Sequence, residues 1–210
     1  VFFWGGDWEK TMMLTEVSEV ALAVLPVQAL KDHLRLGTGF SDGAMQDGLL
    51  ASYLRAALAA IEGRTGKAIL QRRFKLELAM WRSEAEQALP VAPVGAIFSV
   101  TLVAADGSAR VLPASAYQLV ADFQRPKLAA VGYLLPNVPT DGRVEIVFDA
   151  GFGPGWAAVP ADLQQAVMLL AGQYYEQRND FTGAPAGLPL PVQALIERWR
   201  TVRVLGGGAA

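Results

Sequence analysis

The apolar residues change their period twice along this 210-residue chain, and those two changes restrict the fold more than any other feature. From Pro26 onward, Val27, Leu30 and Leu34 share one helical face, with the proline suited to a first turn and Gly37 ending the helix. Beyond a loop over residues 37–43, Leu50, Leu54, Ala57, Leu58 and Ile61 recur at helical spacing until Gly66. The period then falls to two. Phe74, Leu76, Leu78 and Met80 alternate with Lys75, Glu77, Ala79 and Trp81, the pattern of a half-buried strand. Further strands are expected over Ala96 to Ala104, Ala109 to Leu112, Ala116 to Ala121, Leu128 to Leu134 and Arg143 to Phe148. Asp106-Gly107, Pro126, Pro136, Pro139 and Asp141-Gly142 supply the turns. Helical spacing returns at Pro160, through Leu163, Ala166, Val167, Leu170, Ala171 and Tyr174 to about Arg178. It appears once more from Pro191, through Val192, Leu195, Ile196 and Trp199.

Helix, then strand, then helix again in one chain this short is the pattern of an α+β protein: a small helical bundle with an inserted antiparallel β-sheet lobe. The expected division is an N-terminal arm over 1–24, a helical core from 25–66 and 159–178, the β lobe over 67–158, and a hinge with a C-terminal helix and a loose tail over 179–210. Residues 1–11 read equally as an extended gene start or as an arm.

Composition narrows the chemistry. The chain has 52% hydrophobic and 18% charged residues, enough apolar side chains for a core. A net charge of −2 gives no global basic field to draw in nucleic acid. With no cysteine there is no disulfide framework, thiolate zinc site or cysteine nucleophile, and the single histidine, His33, rules out a histidine-rich metal site. No apolar run reaches the roughly 18 residues of a membrane span, and Val1 to Glu9 lack the basic start of a secretory signal.

Each apparent catalytic motif fails on its context. Gly151-Phe152-Gly153-Pro154-Gly155 lies between a strand and a helix as a dinucleotide fingerprint does, but Trp156 to Val159 separate the glycines from the helix whose N–H groups would meet a pyrophosphate. A strand-to-helix turn is the expectation, and a small nucleotide- or ligand-binding enzyme using Gly151–Gly155 is the alternative. Gly66-Lys67 resembles the end of a phosphate loop, yet Ile61 stands where the first glycine belongs, Ala68 replaces the magnesium-binding hydroxyl and a helix precedes it. No G-x-S-x-G elbow accompanies His33, which reads as a polar residue near a helix C-terminus. Asp162 and Glu176 read as solvated helix residues, and Arg72, Arg73 and Lys75 as charges guarding a sheet edge. Trp156 is expected in the core, while Trp199 suits a core plug and an interface anchor equally. A ligand-binding module using the sheet lobe is a further reading.

Three segments in order carry a family resemblance. The first is Leu30-Lys31-Asp32-His33-Leu34-Arg35-Leu36, followed by Leu49 to Leu58 and then Ile61-Glu62-Gly63-Arg64-Thr65-Gly66-Lys67-Ala68. The second is Leu89-Pro90-Val91-Ala92-Pro93-Val94, leading through Ser99-Val100 to Asp106-Gly107. The third is Val144-Glu145-Ile146-Val147-Phe148-Asp149-Ala150-Gly151-Phe152-Gly153, then Val159-Pro160 and the helix to Arg178. Over residues 25–180 the chain resembles the head-to-tail connector, or adaptor, proteins of long-tailed phages and gene transfer agents. Ile61 to Ala68 are close to that family's AAxxxIExxTGRAL signature. The chain departs from it with Lys67 in place of the usual arginine, with an acidic loop reduced to Asp42 and Asp47, and after Arg178.

The resemblance implies a structural protein of the virion neck, assembled in the bacterial cytoplasm and neither an enzyme nor a cofactor carrier. It implies a ring of about twelve copies under the portal protein, with a stopper or tail-side connector below. Double-stranded DNA would pass through the lumen without sequence-specific binding, and no membrane is involved. For the C-terminal helix two placements compete. The Gly- and Pro-rich hinge over Asn179 to Pro189 favours docking on the portal through Val192, Leu195, Ile196, Arg198, Trp199, Arg200, Val202 and Arg203, with Trp199 as anchor. Packing back on the third helix is the other.

Overall fold

The computed structural model describes residues 12–36, 43–177 and 187–200. The chain forms two compact units: Val1–Val20 with Leu70–Pro154, and Ala21–Ile69 with Gly155–Ala210. The expected α+β class is present.

The second of these units is helical. It contains α1 (Val27–His33), α2 (Gly43–Thr65), α3 (Ala161–Glu176) and α4 (Leu190–Ile196). The stripes that define these helices in the sequence are the ones that pack: Leu30 of α1, Leu50, Leu54, Ala57, Leu58 and Ile61 of α2, and Leu163, Ala166, Val167, Leu170 and Ala171 of α3 are all buried. α1 lies against α2 and α3, α2 against α3, and α4 against α3. Tyr53 and Tyr175 meet edge to face with centroids 6.2 Å apart, a geometry the ring quadrupoles favour. Gly66 ends α2 in the left-handed conformation, φ 67°, and its N–H donates to the Glu62 carbonyl at 2.8 Å. Only glycine takes that conformation without a Cβ penalty, which is why the helix stops there.

The other unit is built of strands: β1 (Met12–Glu16), β2 (Arg72–Leu78), β3 (Glu86–Ala88), β4 (Val94–Val103), β5 (Ala109–Val111), β6 (Tyr117–Val120), β7 (Lys127–Ala130) and β8 (Arg143–Ala150). They form two antiparallel sheets where one was expected, a five-stranded sheet of order β1-β2-β8-β4-β5 and a three-stranded sheet of order β3-β7-β6. Alternation sets the register of the larger sheet. Phe74, Leu76 and Leu78 lie opposite Phe148, Ile146 and Val144, so the buried residues of both strands share one face. Phe74 and Phe148 stack at 5.8 Å.

Two strands carry no legible pattern. β3, Glu-Gln-Ala, has no alternating apolar residues, and its buried Gln87 holds the local turn through its own side chain, accepting from the Arg82 N–H at 3.0 Å. β1 lies inside the expected N-terminal arm, and its apolar residues Met12, Met13 and Leu14 are consecutive with none buried, so no alternation marks it. The strand expected to run to Leu134 stops at Ala130, because Val131–Leu134 turn away where the Leu135 N–H reaches the Glu84 carbonyl at 2.7 Å.

Candidate functional site

Of the C-terminal residues chosen from the sequence, Val192 and Ile196 are held down within the helical unit. α4 packs on α3, the second of the two placements weighed above, with Val192 and Ile196 buried and Leu195 half-buried. Burying these two aliphatic side chains removes the apolar face that would otherwise have driven α4 off its own core. A short 3₁₀ turn, Glu197–Trp199, follows. Trp199 is half-buried, and its Nε1–H donates to Asp162 Oδ2 at 2.8 Å. Arg198 Nε lies 2.7 Å from the same oxygen, and its guanidinium sits 4.6 Å over the Trp199 ring. Arg200 pairs with Glu197 at 3.1 Å. Val202 and Arg203 lie outside the described residues.

Asp162 is therefore no solvated helix residue. It stands in the first turn of α3, where a carboxylate is favoured by the helix dipole, and it receives the indole and the guanidinium together. Nothing in the spacing from Asp162 to Trp199 reveals this, since the pairing exists only once α4 lies on α3.

The glycine turn is committed to chain geometry. Gly151 has φ 136°, and a Cβ there would come within 2.4 Å of the Gln71 Cα, so the position requires glycine because backbone passes against it. Its N–H donates to the Pro93 carbonyl, and the Gly153 carbonyl accepts from Gln71 N–H, both at 2.9 Å. A 3₁₀ turn at Trp156–Ala158 separates Gly155 from α3. This is a strand-to-helix turn, without the row of helix-opening N–H groups that a pyrophosphate needs. Trp156, expected in the core, is only half-buried on that turn, and its carbonyl accepts from Gln164 Nε2 at 2.8 Å.

Gly66-Lys67 closes α2, and Lys67 is buried within the helical unit. His33 is exposed, and its ring edge lies 3.5 Å from where a Cβ on Gly172 would stand, so it covers a glycine on α3. Among the described residues no group of three or more His, Cys, Asp or Glu side chains converges to hold a metal, and no helix is long and apolar enough to cross a membrane.

The charges around Phe74 do not guard an edge. β2 is an inner strand, covered by β1, and its charges are paired: Arg72 with Glu16 of β1, Arg73 with Asp149 of β8 through two contacts of 2.8 and 3.0 Å, and Lys75 with Glu77 along β2 itself. Hydrogen bonding to Asp149 raises the Arg73 pKa above its ordinary value. Arg73 also lies 4.1 Å over the Phe98 ring. Arg73, Lys75 and Glu77 share the more solvated face of β2, whereas Arg72 lies on the opposite face, its guanidinium 4.9 Å over the Phe74 ring.

The exposed apolar side chains are the feature that periodicity missed. Met12, Met13 and Leu14 of β1 face water, and so do Met80, Val131 and Leu134, with Tyr133 97% exposed. The loop carrying Tyr133 is held in place, because Trp81 Nε1 donates to the Pro136 carbonyl at 2.8 Å and the Ala130 N–H donates to the Ala85 carbonyl at 2.9 Å.

Solved structures supply the comparison. A chain in a structure described as the neck of an empty gene transfer agent particle, computed with C6 symmetry, is 55% identical, covering 93% of this chain and 98% of that one, with a TM-score of 0.84. A chain in the virion of a native gene transfer agent particle is also 55% identical over the same shares, with a TM-score of 0.81. A chain in the neck of a native particle, computed with C12 symmetry, is 51% identical over the same shares, with a TM-score of 0.80. No protein-family model matches the chain, and no curated protein does either.

Proposed function

This chain belongs to the phage head-to-tail connector family, and on that premise we propose that it is a structural subunit of the neck of a phage or gene transfer agent particle. The observation that carries the proposal is 55% identity over 93% of the chain to a protein of such a neck. In this reading it is an adaptor, one of a ring of about twelve copies under the portal, built from heterologous contacts in which two different patches of each copy meet. Necks computed with C12 and C6 symmetry support repetition about an axis. Double-stranded DNA passes through the ring lumen without sequence readout, and a net charge of −2 suits a channel that must not hold the polyanion. Below, the ring offers a platform to a stopper or tail-side connector. No step of this role is chemical.

The portal contact is assigned to the C-terminal segment. Val192 and Ile196 seat α4 on α3, which leaves Leu195, the outer sides of Arg198 and Trp199, Arg200 and the residues that follow, Val202 and Arg203, to meet the portal. Truncation after Arg200 combined with Arg198→Ala and Arg200→Ala keeps α4 and its buried residues while removing the exposed arginines, Val202 and Arg203 from the contact. The shortened protein should keep the wild-type melting temperature and lose most of its portal binding, measured by sedimentation with purified portal. Undiminished binding would reject the portal contact. A reconstruction of the assembled neck with this chain absent from the ring below the portal would reject the adaptor role.

A further inference from the structure

We propose that the open outer edge of β1 is a strand-addition site, filled in the assembled ring by an extended, largely uncharged segment of a second copy of this chain. The inference rests on the ring reading above and adds to it the surface through which copies meet.

β1 ends the order of the five-stranded sheet, and no other strand among the described residues pairs with its outer side. All five of its residues are exposed, Met13 at 55% and Met12 at 41%. Sheet edges are ordinarily defended by brevity, proline, lysine or an unpaired charge. The opposite edge, β5, follows that rule with three residues and the exposed Arg110. β1 does not: its sequence is Met-Met-Leu-Thr-Glu, and its one charge, Glu16, pairs with Arg72 at 2.8 Å. Left bare, such an edge is a template for another strand.

The backbone sets which groups are on offer. Val17 N–H donates to the Arg73 carbonyl at 2.8 Å, so Val17 directs its polar groups at β2. Strand polar groups alternate in direction with period two. Met13 and Thr15 therefore also bond to β2, and Met12, Leu14 and Glu16 turn their N–H and C=O groups outward. The occupant must bring a matching row of amides, which nucleic acid lacks, and it meets mainly thioether and aliphatic side chains, so it is an extended apolar stretch of protein. A second copy is at hand on each flank when copies repeat around an axis, as in the necks where related chains occur. β1 pairing antiparallel with β1 would need a twofold axis, which a heterologous ring contact lacks, so a different segment of the neighbour fills the site.

The test uses the full chain assembled as rings, with native mass spectrometry reading assembly separately from the contact. Met13 is replaced by the photo-crosslinking residue p-benzoylphenylalanine in rings mixed from isotope-labelled and unlabelled copies. Mixed-isotope crosslinks from position 13 to a segment other than 12–16 of a second copy are expected. Crosslinks only within one copy, only to 12–16 of another copy, only to another neck protein, or none in intact rings, would each overturn the proposal. In parallel, Leu14→Pro removes an outward N–H while leaving the β2 ladder, and Leu14→Ala removes a similar side chain with the N–H kept. The proline variant should assemble about tenfold more weakly than the alanine variant, the scale of a lost backbone pairing. Equal assembly of the two overturns the proposal. Wild-type protein that forms no ring, alone or with portal, defeats the ring reading itself and the edge pairing with it.

Discussion

Asp162 should decide whether α4 stays on α3. Replacing it by alanine removes the acceptor for Trp199 Nε1 at 2.8 Å, the partner of Arg198 at 2.7 Å and a first-turn carboxylate. A hydrogen bond to a charged group contributes about 1.5–3 kcal/mol, and the lower end applies because the Asp162 side chain keeps 20% of its exposure. The helix-dipole contribution is about 0.5 kcal/mol. Arg198 is 68% exposed, so its ion pair is screened and adds only about 0.3 kcal/mol. Asp162→Ala should therefore cost about 2 kcal/mol, and a chain of this size loses about 2–4 °C in Tm per kcal/mol. A fall of roughly 4–8 °C is the expectation. Asp162→Asn, which keeps an oxygen for the indole, should cost about half as much. Arg198→Ala should be nearly silent. Thermal melts by far-UV circular dichroism give the ranking, and amide hydrogen exchange over residues 192–199 shows whether the loss is local, with faster exchange there than in β8. An alanine variant melting with wild type, or an Arg198→Ala variant as damaged as Asp162→Ala, would refute the assignment of Asp162 as the latch of α4.

Gly151→Ala should cost about 2 kcal/mol or more by urea unfolding, because φ 136° and the Gln71 backbone 2.4 Å away leave no room for a Cβ. Gly172→Ala, by contrast, should stabilise by about 0.5–1 kcal/mol in the same assay, since its new Cβ meets His33 and Leu34 at ordinary contact distances inside a helix that prefers alanine. The Ser108 hydroxyl first, and its backbone N–H second, hold the Asp106 carboxyl below the usual carboxylate range. A depressed folded pKa gives a contribution present above the unfolded value and lost as pH falls through the folded one. Acid titration of stability should therefore show Asp106→Asn losing its deficit relative to wild type as pH falls below about 4, and a deficit independent of pH would refute this.

The elements built on local rules were legible in the sequence alone. The stripes of α2 and α3, the alternation of β2 and β8 and the glycine stop at Gly66 each follow from side-chain period or from a conformation that only glycine accepts, and both are properties of a few adjacent residues. The family was legible for the same reason, because its signature runs through contiguous segments such as Ile61 to Ala68. What waited for the tertiary structure was every fact that depends on residues far apart in the chain. Arg72 and Arg73 read as edge guards until β1 came back from the N-terminus to cover β2 and moved the edge one strand outward. Asp162 read as a solvated carboxylate until Trp199 and Arg198, at the other end of the helical unit, folded onto it. Val192 and Ile196 read as a face free for a partner until α3 covered them, while Met12, Met13 and Leu14, which show no alternation, turned out to form an edge strand with no neighbour on its outer side among the described residues. Period and turn chemistry decide which elements form, because they act between neighbours. Which side chain an element meets, and which edge stays uncovered, depends on contacts between segments whose spacing in the sequence carries no trace of them.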